Sequence, residues 1–437
     1  MNYQQTIDYL YKTLPMFSRM GSAAIKKDLD NIIVLCEALG NPQHTFKTIH
    51  VGGTNGKGSV SHMLSSIFQS AGINTGLYTS PHLYDFRERI RVNGIMVNES
   101  FVVEFVEKIR PLIEKIRPSF FEITVAMAFE FFAVRQVGMA IIEVGLGGRL
   151  DSTNIISPEF SVITNIGWDH MNLLGNSLEA IATEKAGIIK PDIPVVIGER
   201  QHAIDKVFEK IAGEKQSPVY FASDEFTAVD QKWENGTLAI EVMDREKHKT
   251  IWWETDLQGI YQGKNICTVL KCRQLIEMNT SFPVSEAIVV HALKNVKKLT
   301  GLQGRWDVIH EEPLVVLEVA HNTDGIIQMM DHLNKLKFDQ LHLIIGMVKD
   351  KDVDEVLKLL PEKANYYFSH AHIPRALSAP ELKNKAQNHS LYGEAYEDVN
   401  KALYRAIKNA SKNDIIIICG SIFLVAEVDK NLIGQLA

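Results

Sequence analysis

The chain has no excess of basic charge, few cysteines and no long apolar run. Lys and Arg number 46 against 53 Asp and Glu, a formal net charge of −7. That balance argues against a general nucleic-acid or anionic-membrane binder but leaves room for a local basic pocket. The four cysteines (Cys36, Cys267, Cys272, Cys419) lack CxxC spacing, so a reduced cytoplasm is the simplest expectation. The start, MNYQQTIDYLYKTLPMF, has no basic segment followed by an apolar one, so no secretory signal is expected. The longest apolar runs, such as 415–419, fall far short of a membrane span. Short-period repeats and low-complexity tracts are missing too.

What is present is an ordinary globular composition, 46% hydrophobic and 23% charged, over 437 residues. At about 150 residues per domain this suggests two or three domains. Apolar runs of strand length alternate with helical patterns, which predicts parallel α/β architecture. FKTIHV (46–51), INTGLYTS, MAIIEV, FSVITNI and IPVVIGE read as strands. FVVEFVEKIRPLIEKI reads as a helix kinked or broken at Pro111. ITVAMAFEFFAV is apolar nearly all round and predicts a buried helix. SLEAIATEKAGII predicts a helix with Ser177 as N-cap. From about 217 to 256, PVYFA, TLAIEVM and TIWWET alternate, with ENG as a hairpin turn, which predicts a small antiparallel appendage. After the Gly-rich GLQGRWD (301–307), read as a linker, PLVVLEV, LHLIIGMV, NYYFSH and DIIIIC restart the alternation. The expectation is a first domain over 1–299, with a parallel sheet of the P-loop ATPase type, and a smaller Rossmann-like α/β domain over 300–437.

Residues 51–59, VGGTNGKGS, join a strand to the helix SVSHMLSSIFQSAG. The common phosphate-loop pattern G-x-x-x-x-G-K-[ST] fails at Val51 and at Gly58. The physical parts survive: glycines that let backbone N–H groups converge on an oxyanion, a helix N-terminus, Lys57, and a hydroxyl at Ser59 one residue late. The loop alone is also compatible with a tight turn beside a solvated lysine.

Several other single residues have plain readings. Glu143 ends MAIIEV at the carboxyl edge, where open α/β sheets bind ligands; it suits a cation, or an ion pair with a surface Arg. His170 reads as a satisfied loop histidine, because Mg²⁺ prefers oxygen. Ser80 reads as a serine before a turn proline, and Lys185 as a solvated helix lysine beside Glu184. Phe120 and Phe121 suit either core packing or stacking on a flat heterocycle.

Taken together, GTNGKGS, YTSPHLYDFRERIRVNG (78–94), IIEVGLGGRLDSTNII (141–156), TNIGWDHMNLLG (164–175), EKAGIIKP (184–191), LQGIYQGKN (257–265), GRWD (304–307) and AHN (320–322) resemble the folylpolyglutamate synthase/dihydrofolate synthase family, relatives of the Mur ligases. The resemblance implies ATP-driven amide formation between a folate carboxylate, or dihydropteroate, and the amine of L-glutamate. It implies ATP contacts from Thr54, Asn55, Gly56, Lys57, Gly58, Ser59, Gln262, Asn265, Arg305 and Glu318, with Gln262 and Asn265 near base and ribose. It implies two Mg²⁺ ions held through Ser59, Ser80, Glu143 and His170, with Asp169 orienting His170. The pterin is bordered by Phe121, Glu122, Ile123, Thr124, Leu150, Asp151 and Ser152, with Arg149 as a nearby cation. Lys185 is carbamylated, and Lys57, Lys185 and His321 carry the catalysis.

A cytoplasmic monomer that binds neither nucleic acid nor membrane is the family expectation. The motifs leave open whether K⁺ is required and whether dihydropteroate is used as well as folates. The sequence departs from the family pattern in EVAHNT, where Glu318 replaces Asp and Thr323 replaces a turn proline. A Mur ligase acting on a UDP-linked peptide would carry a further α/β domain before the loop. Only about 50 residues precede it, and RMGSAAIKKDLDNIIVLCEALG (19–40) reads there as a single helical lead-in. A nucleotide-dependent binding switch would not need the metal, amine and carbamate residues.

Overall fold

In the first half of the chain, strand-length apolar runs are buried along their whole length, as expected for strands covered on both faces. The computed structural model describes residues 1–21, 26, 28–234, 236–279 and 282–434. Eight strands form the first sheet: Lys47–Gly52 (β1), Thr75–Tyr78 (β2), Ile90–Val92 (β3), Ile95–Met96 (β4), Met139–Glu143 (β5), Phe160–Ile163 (β6), Val195–Ile197 (β7) and Val219–Phe221 (β8). Their order is β4-β3-β2-β5-β1-β6-β7-β8. The pairs β2–β3 and β3–β4 are antiparallel and the others parallel. β1 lies in the middle, with its Val51 opposite Glu143 of β5 and Val162 of β6. The loops leaving β1, β2, β5, β6 and β7 therefore emerge side by side at the carboxyl edge, the ligand-binding edge of open α/β sheets.

Two helices back this centre. The helix Lys57–Ser70 is buried from Gly58 through Phe68 and carries small serines at 61, 65 and 66. The helix Phe120–Val134 is buried on nearly every side, as its sequence predicts, and starts with a capping box of Ser119 and Glu122. Ser177 caps the helix Leu178–Lys185, also as expected.

Three expectations are corrected. Val219–Phe221 does not join the appendage; it pairs parallel with β7 as the edge of the main sheet. The appendage consists of Phe226–Glu234 (β9), Thr237–Asp244 (β10) and Lys249–Thr255 (β11), in the order β11-β10-β9. Its first strand is half-exposed and polar, so it lacks an apolar signature. Asn235 of the ENG turn lies outside the described residues. Pro111 does not break its helix, which runs unbroken over Glu99–Ile116. The proline is exposed and removes one backbone donor, while Val102, Phe105, Val106, Ile109 and Ile113 bury the opposite face. The lead-in is not one helix but Phe17–Met20 and Asp30–Ala38. Gly21, at φ 61°, ends the first of these; residues 22–25 and 27 lie outside the described set.

The chain divides into two compact units, Met1–Asp256 with Tyr261–Leu302, and Leu257–Ile260 with Gln303–Ala437. In the second, Asp307–Glu311 (β12), Leu314–Leu317 (β13), Leu341–Ile345 (β14), Asn365–Phe368 (β15), Gly393–Ala395 (β16) and Ile415–Cys419 (β17) form a sheet in the order β12-β13-β17-β14-β15-β16. It is parallel except for the β12–β13 hairpin. Among the described residues no helix is long and apolar enough to cross a membrane.

One buried group ties this core to pH. His50, fully buried on β1, has its imidazole pushed down to about 3 by burial and then by Lys190. Between that value and the ordinary 6.5 the unfolded chain binds a proton that the folded chain does not. Stability therefore rises with pH across this window and is lost as pH falls. Going from pH 6.5 to 5 should remove about 2 kcal/mol through this residue. Urea unfolding of the parent and of His50→Gln at both pH values checks this; the parent should show the steeper loss.

Candidate active site

The β1 exit builds a phosphate cradle from backbone. Gly53 has φ 131° and Gly56 φ 84°, conformations that a side chain resists. Space forbids one as well: a Cβ on Gly53 would lie 2.0 Å from Thr164 Oγ1, and one on Gly56 2.4 Å from Asn265 Oδ1. The helix then begins at Lys57 with Gly56 as its cap residue. The loop after β6 holds this cradle. Asn165 accepts Thr54 N–H on its backbone oxygen (2.8 Å) and Asn55 N–H on its side-chain oxygen (2.8 Å). Gly167 N–H donates to Thr54 Oγ1 (3.0 Å), and Thr164 Oγ1 donates to Asn55 O (2.6 Å).

Two ammonium groups meet at one carbonyl of the cradle. Lys57 Nζ donates to Gly53 O and Thr54 O, both at 3.0 Å. Lys185 Nζ donates to the same Gly53 O at 2.8 Å. Lys185 is only 4% exposed, which overturns its plain reading as a solvated lysine. Close backbone contact brings it there. A Cβ on Gly148 would meet Lys185 O at 2.7 Å, and one on Gly187 would meet Arg149 Cα at 2.3 Å. Arg149 N–H donates to Glu184 O (2.9 Å), and its guanidinium pairs with Glu184 (2.8 Å).

The oxygen donors lie around the same edge. Glu143, the last residue of β5, is 4% exposed and accepts Ser80 N–H at 3.1 Å. Ser59 Oγ accepts from Gln262 Nε2 (3.3 Å), whose Oε1 accepts from Asn265 Nδ2 (2.8 Å). Gln262 and Asn265 therefore lie against Ser59 and Gly56 of the β1 exit. His170, at φ 51°, begins the short helix Met171–Leu174. Its N–H donates to Asp169 Oδ1 (2.8 Å), and its ring stands edge-on to Phe17 at 5.6 Å. Among the described residues no three His, Cys, Asp or Glu side chains form a metal cage. A hydroxyl and a carboxylate at a phosphate cradle fit Mg²⁺, which prefers oxygen, keeps waters and shares phosphate oxygens.

Of the expected pterin-bordering residues, two are open to a ligand. Phe121 and Leu150 are half-buried. Phe121 packs under Gly145, where a Cβ would come within 2.4 Å of its ring, and lies 6.1 Å from the Tyr78 ring. Glu122 closes the capping box on Ser119 N–H (2.5 Å), Ile123 is fully buried, and Thr124 Oγ1 meets Tyr78 OH (3.0 Å). Asp151 accepts Leu146 N–H (2.9 Å) and Thr153 N–H (3.0 Å), which closes the β5 exit loop. Burial raises its pKa, and these bonds oppose the rise. Thr153 Oγ1 donates to Asp151 (2.5 Å) and faces His50 Nε2 (2.8 Å). Ser152, beside it, is 9% exposed.

Sequence reasoning did not assign Thr164, Asn165, Thr153 or Tyr78. All four lie inside the quoted motifs, where only position marked them.

In the second unit Glu318 follows β13 and is 3% exposed. Its carboxylate accepts Trp306 N–H at 2.8 Å. Trp306 has φ 48° and stacks on His332 at 3.7 Å. Arg305 Nη1 donates to the neighbouring Gly304 O (3.3 Å). His321 Nδ1 donates to Val319 O (2.8 Å), because a carbonyl oxygen can only accept. Asn322 caps the helix Thr323–Leu333. Thr323 is thus the first helical residue, the position where proline is favoured but not needed.

The family model for the Mur ligase middle domain matches residues 51–272, and that for the Mur ligase glutamate ligase domain matches 304–422. A folylpolyglutamate synthase from Lacticaseibacillus casei is 30% identical over 99% of both chains. A dihydrofolate synthase/folylpolyglutamate synthase from Bacillus subtilis is 31% identical over 93% of this chain and 95% of its own. Among solved structures, a folylpolyglutamate synthase from Thermotoga maritima superposes with a TM-score of 0.81 at 33% identity, covering 99% of this chain and 97% of the other. Escherichia coli FolC in complex with DHPP and ADP gives 0.84 at 27%, covering 100% and 99%. With both of its domains and nearly its whole length matched, the chain belongs to the folylpolyglutamate synthase/dihydrofolate synthase family of Mur-type ligases.

Proposed function

We propose that the chain adds L-glutamate to folates, and to dihydropteroate, at the expense of ATP. The observation that carries this reading is the cradle itself: backbone amides at a helix N-terminus, with Lys57 and Lys185 converging on Gly53 O. A carboxylate is a poor acyl donor because oxide would have to leave. Phosphorylation by ATP gives an acyl phosphate, which the glutamate amine attacks through a tetrahedral intermediate to release phosphate and form the amide. Catalysis of this kind is mainly positioning and charge neutralisation.

In this reading the N–H groups of residues 56–58, at the helix N-terminus, and the Lys57 ammonium bind the phosphates of ATP. Ser59, Ser80 and Glu143 would hold Mg²⁺, which would supply positive charge to the phosphates; His170, set by Asp169, is the candidate to hold a second ion. Phe121 and Leu150 offer an apolar face to the pterin. The Lys185 ammonium loses a proton, and the resulting amine adds CO₂ to give a carbamate with release of a second proton. The cation beside Lys57 thereby becomes an anion able to face a metal. From the second unit, Arg305, Glu318 and His321 are assigned to nucleotide and phosphate. The protein is read as a cytoplasmic monomer.

The test is phosphate release from ATP with purified protein, glutamate and either dihydropteroate or a tetrahydrofolate monoglutamate. Release with neither overturns the proposal, and release with one alone defines which step is catalysed. Glu143→Ala and Lys185→Ala should each lower turnover by about 100-fold with little change in thermal midpoint. Full turnover in Lys185→Ala would remove the carbamate from the mechanism. Gly56→Ala, strained at φ 84° and pressed on Asn265, should weaken ADP binding at least about tenfold by calorimetry.

A further inference from the structure

We propose that Gln201, on the loop after β7, is a positioning residue for nucleotide binding. Its carboxamide holds both backbone groups of Ile166: Oε1 accepts Ile166 N–H at 2.9 Å, and Nε2 donates to Ile166 O at 2.8 Å. Ile166 lies past the end of β6, where the sheet no longer supplies partners, so one side chain does what a neighbouring strand would. The residues on either side of Ile166 grip the cradle. Asn165 accepts the N–H groups of Thr54 and Asn55, and Gly167 donates to Thr54 Oγ1. The Ile166 side chain is buried as well, at 2% exposure.

Gln201 is itself anchored. Its N–H donates to Asp205 Oδ1 (2.7 Å), and its carbonyl accepts Ile204 N–H (2.8 Å) at the start of the helix Asp205–Glu214. Arg200 pairs with Asp205 and with Asp224. The path runs from an anchored helix start, through Gln201 and Ile166, to the amides of residues 54 and 55. Gln201 reaches the nucleotide only through that backbone, so it sets geometry without touching substrate.

The inference rests on the reading that residues 53–59 bind ATP phosphates, and the experiment separates the two. ADP affinity by calorimetry and the KM for each substrate are measured for the parent, Gln201→Leu, Gln201→Glu and Gly56→Ala. Gln201→Leu should weaken ADP binding and raise the KM for ATP about tenfold, because two buried backbone groups lose their partners. The KM for the folate should not move. In Gln201→Glu the introduced carboxylate opposes Ile166 O, whereas the protonated carboxyl donates to it as the amide does. ADP affinity relative to the parent should therefore improve as pH falls from 8 toward 5.5.

Parent-like ADP affinity in Gln201→Leu, with Gly56→Ala impaired, overturns the positioning role and leaves the phosphate cradle standing. Parent-like affinity in both overturns the cradle reading instead. If Gln201→Leu fails to fold, the pH dependence of Gln201→Glu decides: a ratio to the parent that does not change with pH overturns the proposal.

Discussion

Thr164 pressed against Gly53 is the contact on which the site depends. The β6 exit touches the β1 exit so closely that position 53 has no room for a Cβ. The contact fixes a backbone whose Thr54 and Asn55 amides turn to Asn165 and whose following amides lie at a helix N-terminus. Amides that converge on an anion repel one another when it is absent, so such a turn needs outside support. The support here is ordinary hydrogen bonding from residues 164–167, strung across two adjacent parallel strands. The sheet order, with β1 between β5 and β6, places a carboxylate (Glu143) on one side of the cradle and this brace on the other.

The same closeness controls Lys185. Burying an ammonium is costly unless it is hydrogen-bonded or paired, and Lys185 Nζ donates to the backbone carbonyl of Gly53, which also accepts from Lys57. Two glycines, Gly148 and Gly187, let the Arg149 and Glu184–Lys185 segments touch, and that contact carries the lysine inward. The geometry thus brings the ammonium groups of both lysines to one carbonyl of the β1 exit loop.

Legibility in the sequence followed burial. Strands 139–143, 160–163 and 415–419 are buried along their whole length and mostly apolar, and 47–52 is buried in all but Lys47; these read directly. β12 and β16 are half-exposed edge strands with polar residues, and β9 shows little alternation; none carried a signal. Val219–Phe221 looked like its antiparallel neighbours because three residues hold no information about their partner. Among the candidate site residues, Lys57 was visible through type and spacing, Glu143 through its place at a strand end, and His170 only through the family resemblance. Thr164, Asn165 and Gln201 were not, because they act on backbone, and any short polar residue on a loop has the same appearance.

The departures at 318 and 323 show how local geometry absorbs a change in a motif. The longer arm of Glu318 is buried with one oxygen on Trp306 N–H. That bond ties the end of β13 to the GRWD segment, which carries Arg305. A carboxylate holding a backbone amide keeps its second oxygen for another donor, so the extra methylene alters reach more than chemistry. Thr323 opens a helix that Asn322 already caps, and at that position proline contributes mainly a preset φ. Its loss leaves the helix start intact, and with it the backbone carbonyl of Val319 that orients His321. Of the two substitutions, the one at 318 therefore bears on function: it fixes how far the acidic oxygen stands from the backbone that carries Arg305.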